Sequence, residues 1–246
     1  MKLVYALLLA IGLTLPLAVS AQPSPHVQKI RVLLITGGHG FERDSFFKIF
    51  HDNPALAVTD VEHDKGSATA WERDDLASFN VVVLYDMQAN ITESQKAKFL
   101  SLFQNGTGLI VLHHALCSFQ AWPEYERIIG GLYPVPPKGQ PQVTDTIGYK
   151  HGVEVPVTIA DKTHPITSTL KDFTIRDEIY WGFRVGSDVH PLLTTTLAKS
   201  GNPLMWTRSE GRSRVVFLQL GHDHFAYENP SFRELIARSI TWTVDR

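Results

Sequence analysis

The chain has 246 residues, 43% of them hydrophobic and 20% charged, with a formal net charge of -2. Those globular proportions exclude a disordered or low-complexity chain. With no cationic surplus, neither a nucleic acid nor an anionic membrane has an electrostatic claim as a partner.

Met1 and Lys2 lead into an almost wholly apolar stretch over residues 3–19, interrupted by Thr14 and Pro16. Val19-Ser20-Ala21 then supplies small residues ahead of Gln22. The pattern predicts a cleavable signal over residues 1–21. It implies export to a periplasm or to the outside, with no membrane attachment after cleavage. Residues 22–28 hold two prolines and read as a linker, which leaves one domain over 29–246. Cys117 is the single cysteine, so no internal disulfide can form.

Residues 29–36 (KIRVLLIT) form a continuous apolar run, the mark of a strand covered on both faces, and end in Gly37-Gly38-His39-Gly40. A short helix over 44–51 places Phe46, Phe47 and Phe50 on one side. A second strand is expected over 57–61, a short amphipathic helix within 71–79, and a buried strand over 81–85. Thr92 and Gln95 have the spacing of a capping box, so a helix should start there and stop at Asn105-Gly106. Residues 108–113 (GLIVLH) give the fourth buried strand, and a helix follows over 124–129. Residues 132–149 are rich in proline and glycine and read as a loop or lid. Strands joined by turns are then expected over 153–159, 173–181, 191–197, 204–207 and 214–220, before an amphipathic helix over 230–244. The alternation of strands and helices in the first half predicts an α/β fold with a mainly parallel central sheet.

In such a sheet the loops at the carboxyl ends of the strands converge on one crevice. His39 follows the first strand, His113-His114 end the fourth, and His222 and His224 follow the last. These positions predict one shared pocket. His51, His63, His151 and His190 read as structural or solvated. Because neighbours on a strand point to opposite faces, only one of His113 and His114 should reach the pocket. His39, His113 and His222, with Glu178 or Asp223 near them, are candidate ligands for a divalent transition metal such as zinc, manganese, iron or nickel. Asp177 and Glu178 are candidate catalytic carboxylates beside His113 and His222. Tyr180 and Trp181 offer flat faces of the kind that pack on sugar rings. Gly37-Gly38-His39-Gly40 lacks the order of a dinucleotide fingerprint, and no nucleotide cofactor is expected.

Several segments together resemble the ThuA-like, trehalose-utilisation family. They are Ile35-Thr36-Gly37-Gly38-His39-Gly40-Phe41-Glu42, Gly106 through His113, His164-Pro165-Ile166 and Asp177-Glu178-Ile179-Tyr180. Pro203 through Thr207, Gly211 through Phe217, Leu220-Gly221-His222-Asp223 and Trp242 continue the match. The resemblance implies a flavodoxin-like, class I glutamine amidotransferase-like three-layer sandwich. It implies a site at His39, His113, Asp177, Glu178, His222 and Asp223. The expected ligand is a small carbohydrate, trehalose or a related glycoside, and assembly into a homo-oligomer stays open. Two functions are expected: a carbohydrate-active lyase, isomerase or hydrolase, and, as the alternative, a non-catalytic sugar-binding or accessory module. Cysteine chemistry is disfavoured, since Cys117 lies beyond the strand end without glycines around it.

Overall fold

A computed structural model describes residues 28–64 and 66–245. The expected signal, and the expected linker but for its last residue, lie outside the described residues. No helix among the described residues is long and apolar enough to cross a membrane.

The parallel half of the sheet grows from the fully apolar runs. β1 (Ile30–Gly37), β2 (Leu56–Glu62), β3 (Val81–Asp86), β4 (Gly108–Leu112) and β11 (Ser213–Leu218) lie side by side in the order β2-β1-β3-β4-β11, each pair parallel. Every residue of β3 and β4 is buried, because helices cover both faces. Val32 and Leu34 pack with Phe46 and Phe50 of α1 (Arg43–His51) and with Leu235, Ile236 and Ile240 of α5 (Pro230–Val244). Leu33 and Ile35 face the opposite side. There they join Phe99 and Leu102 of α2 (Glu93–Asn105) and Tyr125 and Ile128 of α3 (Pro123–Ile129). The capping box of α2 is formed: Thr92 Oγ1 accepts from the Gln95 amide at 3.3 Å, and Gln95 Oε1 accepts from the Thr92 amide at 2.9 Å.

The second half extends this sheet with antiparallel strands, as short turn connections require. β6 (Gly148–Ile159), β7 (Phe173–Trp181), β9 (His190–Thr195) and β10 (Met205–Glu210) complete the order β11-β10-β9-β6-β7 in one nine-stranded sheet. A small separate pairing joins β5 (Gly131–Leu132) to β8 (Arg184–Val185).

Three expectations need correction. The helix expected within 71–79 is two short 3-10 turns, Thr69–Glu72 and Leu76–Ser78, separated by a charged stretch, Arg73-Asp74-Asp75. The loop expected over 132–149 begins and ends in strand, at Leu132 and at Gly148–Tyr149. The fourth strand stops at Leu112, and His113 already belongs to the turn that follows.

Candidate functional site

Beyond Leu112 the chain turns at His113, with φ of 51°, into a 3-10 turn over His113–Cys117. A residue with a side chain held in that region costs on the order of 1–3 kcal/mol. A sharp strand-to-helix turn is also the way α/β-hydrolases lift a nucleophile above the sheet. Here it lifts an imidazole. His113 is fully buried, and its Nδ1 lies 2.6 Å from the Gln219 carbonyl just past β11. The carbonyl can only accept, so Nδ1 carries a proton, and whenever the ring is neutral Nε2 presents a lone pair.

That lone pair meets a crowd. Glu178 Oε2 is 2.9 Å from His113 Nε2, Tyr180 OH is 2.9 Å away, and His222 Nδ1 is 3.3 Å away. Glu178 Oε2 and His222 Nδ1 are themselves 3.1 Å apart. His151 closes the ring of contacts, with Nδ1 2.9 Å from His222 Nε2 and 3.3 Å from Glu178 Oε1. With both imidazoles neutral, the short Glu178–His113 contact sets one acceptor against another. A proton or a metal cation must therefore bridge it. His113, Glu178 and His222 hold ligand atoms within 4.8 Å of one another. Two imidazoles and a carboxylate, one imidazole tied back by a carbonyl, form a donor set that fits a divalent transition metal.

The electrostatics agree with a charged centre. Burial alone would push the Glu178 carboxyl up, but hydrogen bonds from His113 and His222 outweigh it and hold the group well below its ordinary range. The Glu178 contact raises His222 against the opposing effect of burial. Asp177 supports this centre from beneath. It is buried, and its carboxylate accepts from the backbone amides of Gly221 at 2.7 Å, His222 at 3.0 Å and Glu178 at 2.8 Å. Burial raises the Asp177 carboxyl, and the charge of His113 and those amides oppose the rise. Asp177 fixes the loop that carries His222, which corrects its expected catalytic role to one of position.

A cavity of about 230 Å³ opens beside the centre, with Glu178, Tyr180 and His151 on one wall and His39, His114 and Tyr133 also lining it. His39 reaches this rim because Gly37 and Gly38 turn the chain at φ of 120° and 78°. A Cβ on Gly38 would stand 2.0 Å from the Met87 carbonyl oxygen. His39 stacks on His114 at 4.6 Å and stays outside the candidate ligand triangle, so Glu178 takes the third place that the sequence assigned to His39. Burial lowers the His39 pKa.

Two expected ligand-binding residues lie elsewhere. Trp181 alternates with Tyr180 along β7, so its ring falls on the other face, where Nε1 donates to the Thr144 carbonyl at 3.0 Å. Asp223 caps the short helix α4 (His224–Tyr227) by accepting from the Phe225 amide at 3.0 Å. His224 pairs with Glu42 at 2.8 Å, away from the cavity. Of the adjacent pair, His114 lines the cavity, while His113 is fully buried in the ligand triangle at the start of the 3-10 turn.

His151 was set aside in the sequence. It sits on β6, between the loop expected over 132–149 and the strand expected over 153–159, at the register shift between Lys150 and Val153. Cys117 is buried, and burial pushes its thiol well up, which opposes nucleophilic use.

The family described as ThuA, trehalose utilisation, matches residues 31–243. No curated protein matches the chain. A ThuA-like protein from Parabacteroides merdae superposes with a TM-score of 0.75 at 23% identity, over 88% of this chain and 90% of that one. Another from Bacteroides uniformis gives 0.64 at 18% identity, over 92% and 95%. A glutamine amidotransferase from Thermotoga maritima gives 0.51 at 14% identity, over 89% and 100%. These likenesses show the fold: a large α/β sandwich of the amidotransferase-like kind.

Proposed function

The chain belongs to the ThuA, trehalose-utilisation family, and from that premise we propose that it acts on a sugar or keto-glycoside at the His113–Glu178–His222 centre. The observation that carries the reading is the convergence of His113 Nε2, Glu178 Oε2 and His222 Nδ1 within 3.3 Å at the edge of a ring-sized cavity. His113, Glu178 and His222 would hold a divalent metal, which would polarise a carbonyl or hydroxyl oxygen when bound. The chain's own groups do the rest. Tyr180 hydrogen-bonds His113 and walls the cavity. His151, whose Nε2 has no partner among the described residues, exchanges a proton with the ligand at the cavity mouth. Asp177 holds the His222 loop in register.

Export belongs to the same proposal, on the residue pattern of positions 1–21. N-terminal sequencing of the secreted or periplasmic product tests it. The activity is tested by a product screen on trehalose, methyl glucosides and their 3-keto derivatives, with and without chelator. The proposal expects turnover that falls at least a hundredfold in His222→Ala while the fold is retained. A ligand that binds wild type and is recovered unchanged in every case would favour a binding module instead.

A further inference from the structure

The residues lining the cavity are of two kinds. Glu178, Tyr180 and His151 belong to the bonded centre. His114, 2% exposed, and Tyr133, 5% exposed, do not. Neither ring nitrogen of His114 and no partner for the Tyr133 hydroxyl completes a hydrogen bond of normal geometry. Buried polar groups in folded proteins are seldom left so, because each costs on the order of 1–3 kcal/mol. Two of them aimed into one cavity mark a place where ligand atoms complete the bonding.

We propose that His114 and Tyr133 form a neutral hydrogen-bonding wall that selects a ligand presenting hydroxyl or carbonyl groups there, and that discriminates against carboxylate or phosphate in that position. The inference rests on the function proposed above only in taking the ligand to be a sugar. Three observations support it. His114 is buried and neither of its ring nitrogens meets a carboxylate, so a second ring proton would have no counter-charge there. Burial raises the Tyr133 hydroxyl, so it stays protonated as a donor. No lysine or arginine among the described residues lines the cavity. An anionic group at this wall would lose its hydration and gain no counter-charge, a heavy penalty in a buried site. A neutral hydroxyl needs one donor and one acceptor, and the wall offers both kinds. His114 and Tyr133 line the same cavity as Glu178, and the Tyr133 ring lies 5.4 Å from that of Tyr180, so a ring-sized ligand that touches Glu178 meets this wall as well.

The test is calorimetric titration of the full chain with matched probes. These are methyl glucoside and its 3-keto derivative, glucuronate, glucose 6-phosphate, and the non-sugar ring myo-inositol with its monoketone. Neutral rings should bind at least tenfold more tightly than the two anions. Tyr133→Phe should weaken the neutral rings about tenfold, the loss of one buried hydrogen bond, and should narrow the gap to the anions. His114→Gln should act in the same direction. Equal affinity for glucuronate or glucose 6-phosphate, or neutral-ring binding unchanged in both variants, would overturn the inference while leaving a sugar site intact. Preference for myo-inositol or its ketone over every sugar would support the wall and overturn the sugar reading. Binding by no neutral probe would overturn both.

Discussion

Two histidine–carboxylate pairs lie buried at strand ends, one formed by His63 just past β2 and Asp86 at the end of β3, the other by His113 just past β4 and Glu178 near the end of β7. At the first, His63 Nε2 is 3.5 Å from Asp86 Oδ2, with both side chains wholly enclosed. His63 Nδ1 accepts from the Ala70 amide at 3.2 Å, so its only proton is on Nε2 and the ring is neutral. Neither carboxyl oxygen of Asp86 makes a hydrogen bond of normal geometry. Burial therefore wins outright: it pushes Asp86 up to about 7 and His63 down to about 4. At the second place Glu178 is almost as enclosed, yet hydrogen bonds from His113 and His222 keep it ionised, with His151 Nδ1 3.3 Å from its other oxygen. Burial by itself neutralises a carboxyl, and burial with convergent donors fixes its charge. Glu178 lines a cavity, whereas both side chains of the first pair are wholly enclosed.

Glu178→Gln is the severest way to break this contrast. It makes the second pair as neutral as the first and should lower kcat/KM on an active glycoside by about 10²–10⁴-fold. Unchanged kcat/KM would mean that the charge has no part in function.

Asp86→Asn sharpens the contrast from the other side. The Asp86 carboxyl is raised in the fold from 3.8 to about 7. Across that window the native state keeps a proton that the unfolded chain has shed, so this group makes the protein less stable as pH rises. The effect reaches up to about 4 kcal/mol at about 1.4 kcal/mol per pH unit. His63, lowered to about 4 from 6.5, works in the opposite direction between those values. The observable is therefore the difference in denaturation free energy between Asp86→Asn and wild type, which should grow in favour of the variant from pH 4 to pH 8. A difference independent of pH would show that Asp86 is ionised throughout.

Asp177→Asn should destabilise by about 2–3 kcal/mol, because an amide nitrogen would face backbone donors that a carboxylate now satisfies. In a denaturant titration, a loss below the error would remove Asp177 as the support of the His222 loop. Asp223→Ala should cost about 1 kcal/mol as a lost helix cap and leave ligand affinity alone. A large affinity loss in a calorimetric titration would return Asp223 to the site.

The layered fold was legible because its buried strands are continuous apolar runs and its helix ends carry Thr92-Gln95 and Asn105-Gly106. The meeting of His113 and His222 at one rim followed from topology alone. The rest turned on backbone detail that residue types do not encode. The positive φ at His113 replaces strand alternation with a turn, so that His114 lines the cavity while His113 sits in the buried centre. The register shift on β6 brings His151 to Glu178, though nothing about His151 distinguishes it from solvated histidines. Trp181 and Asp223 looked suitable by chemistry, but strand parity turns one away and helix capping occupies the other.

Calorimetric titration of chelator-treated protein with zinc, run on wild type beside Glu178→Gln, addresses the centre itself. The account predicts one saturable ion per chain in wild type and an affinity lower by at least tenfold in the variant. No saturable uptake by wild type, or two indistinguishable isotherms, would contradict it.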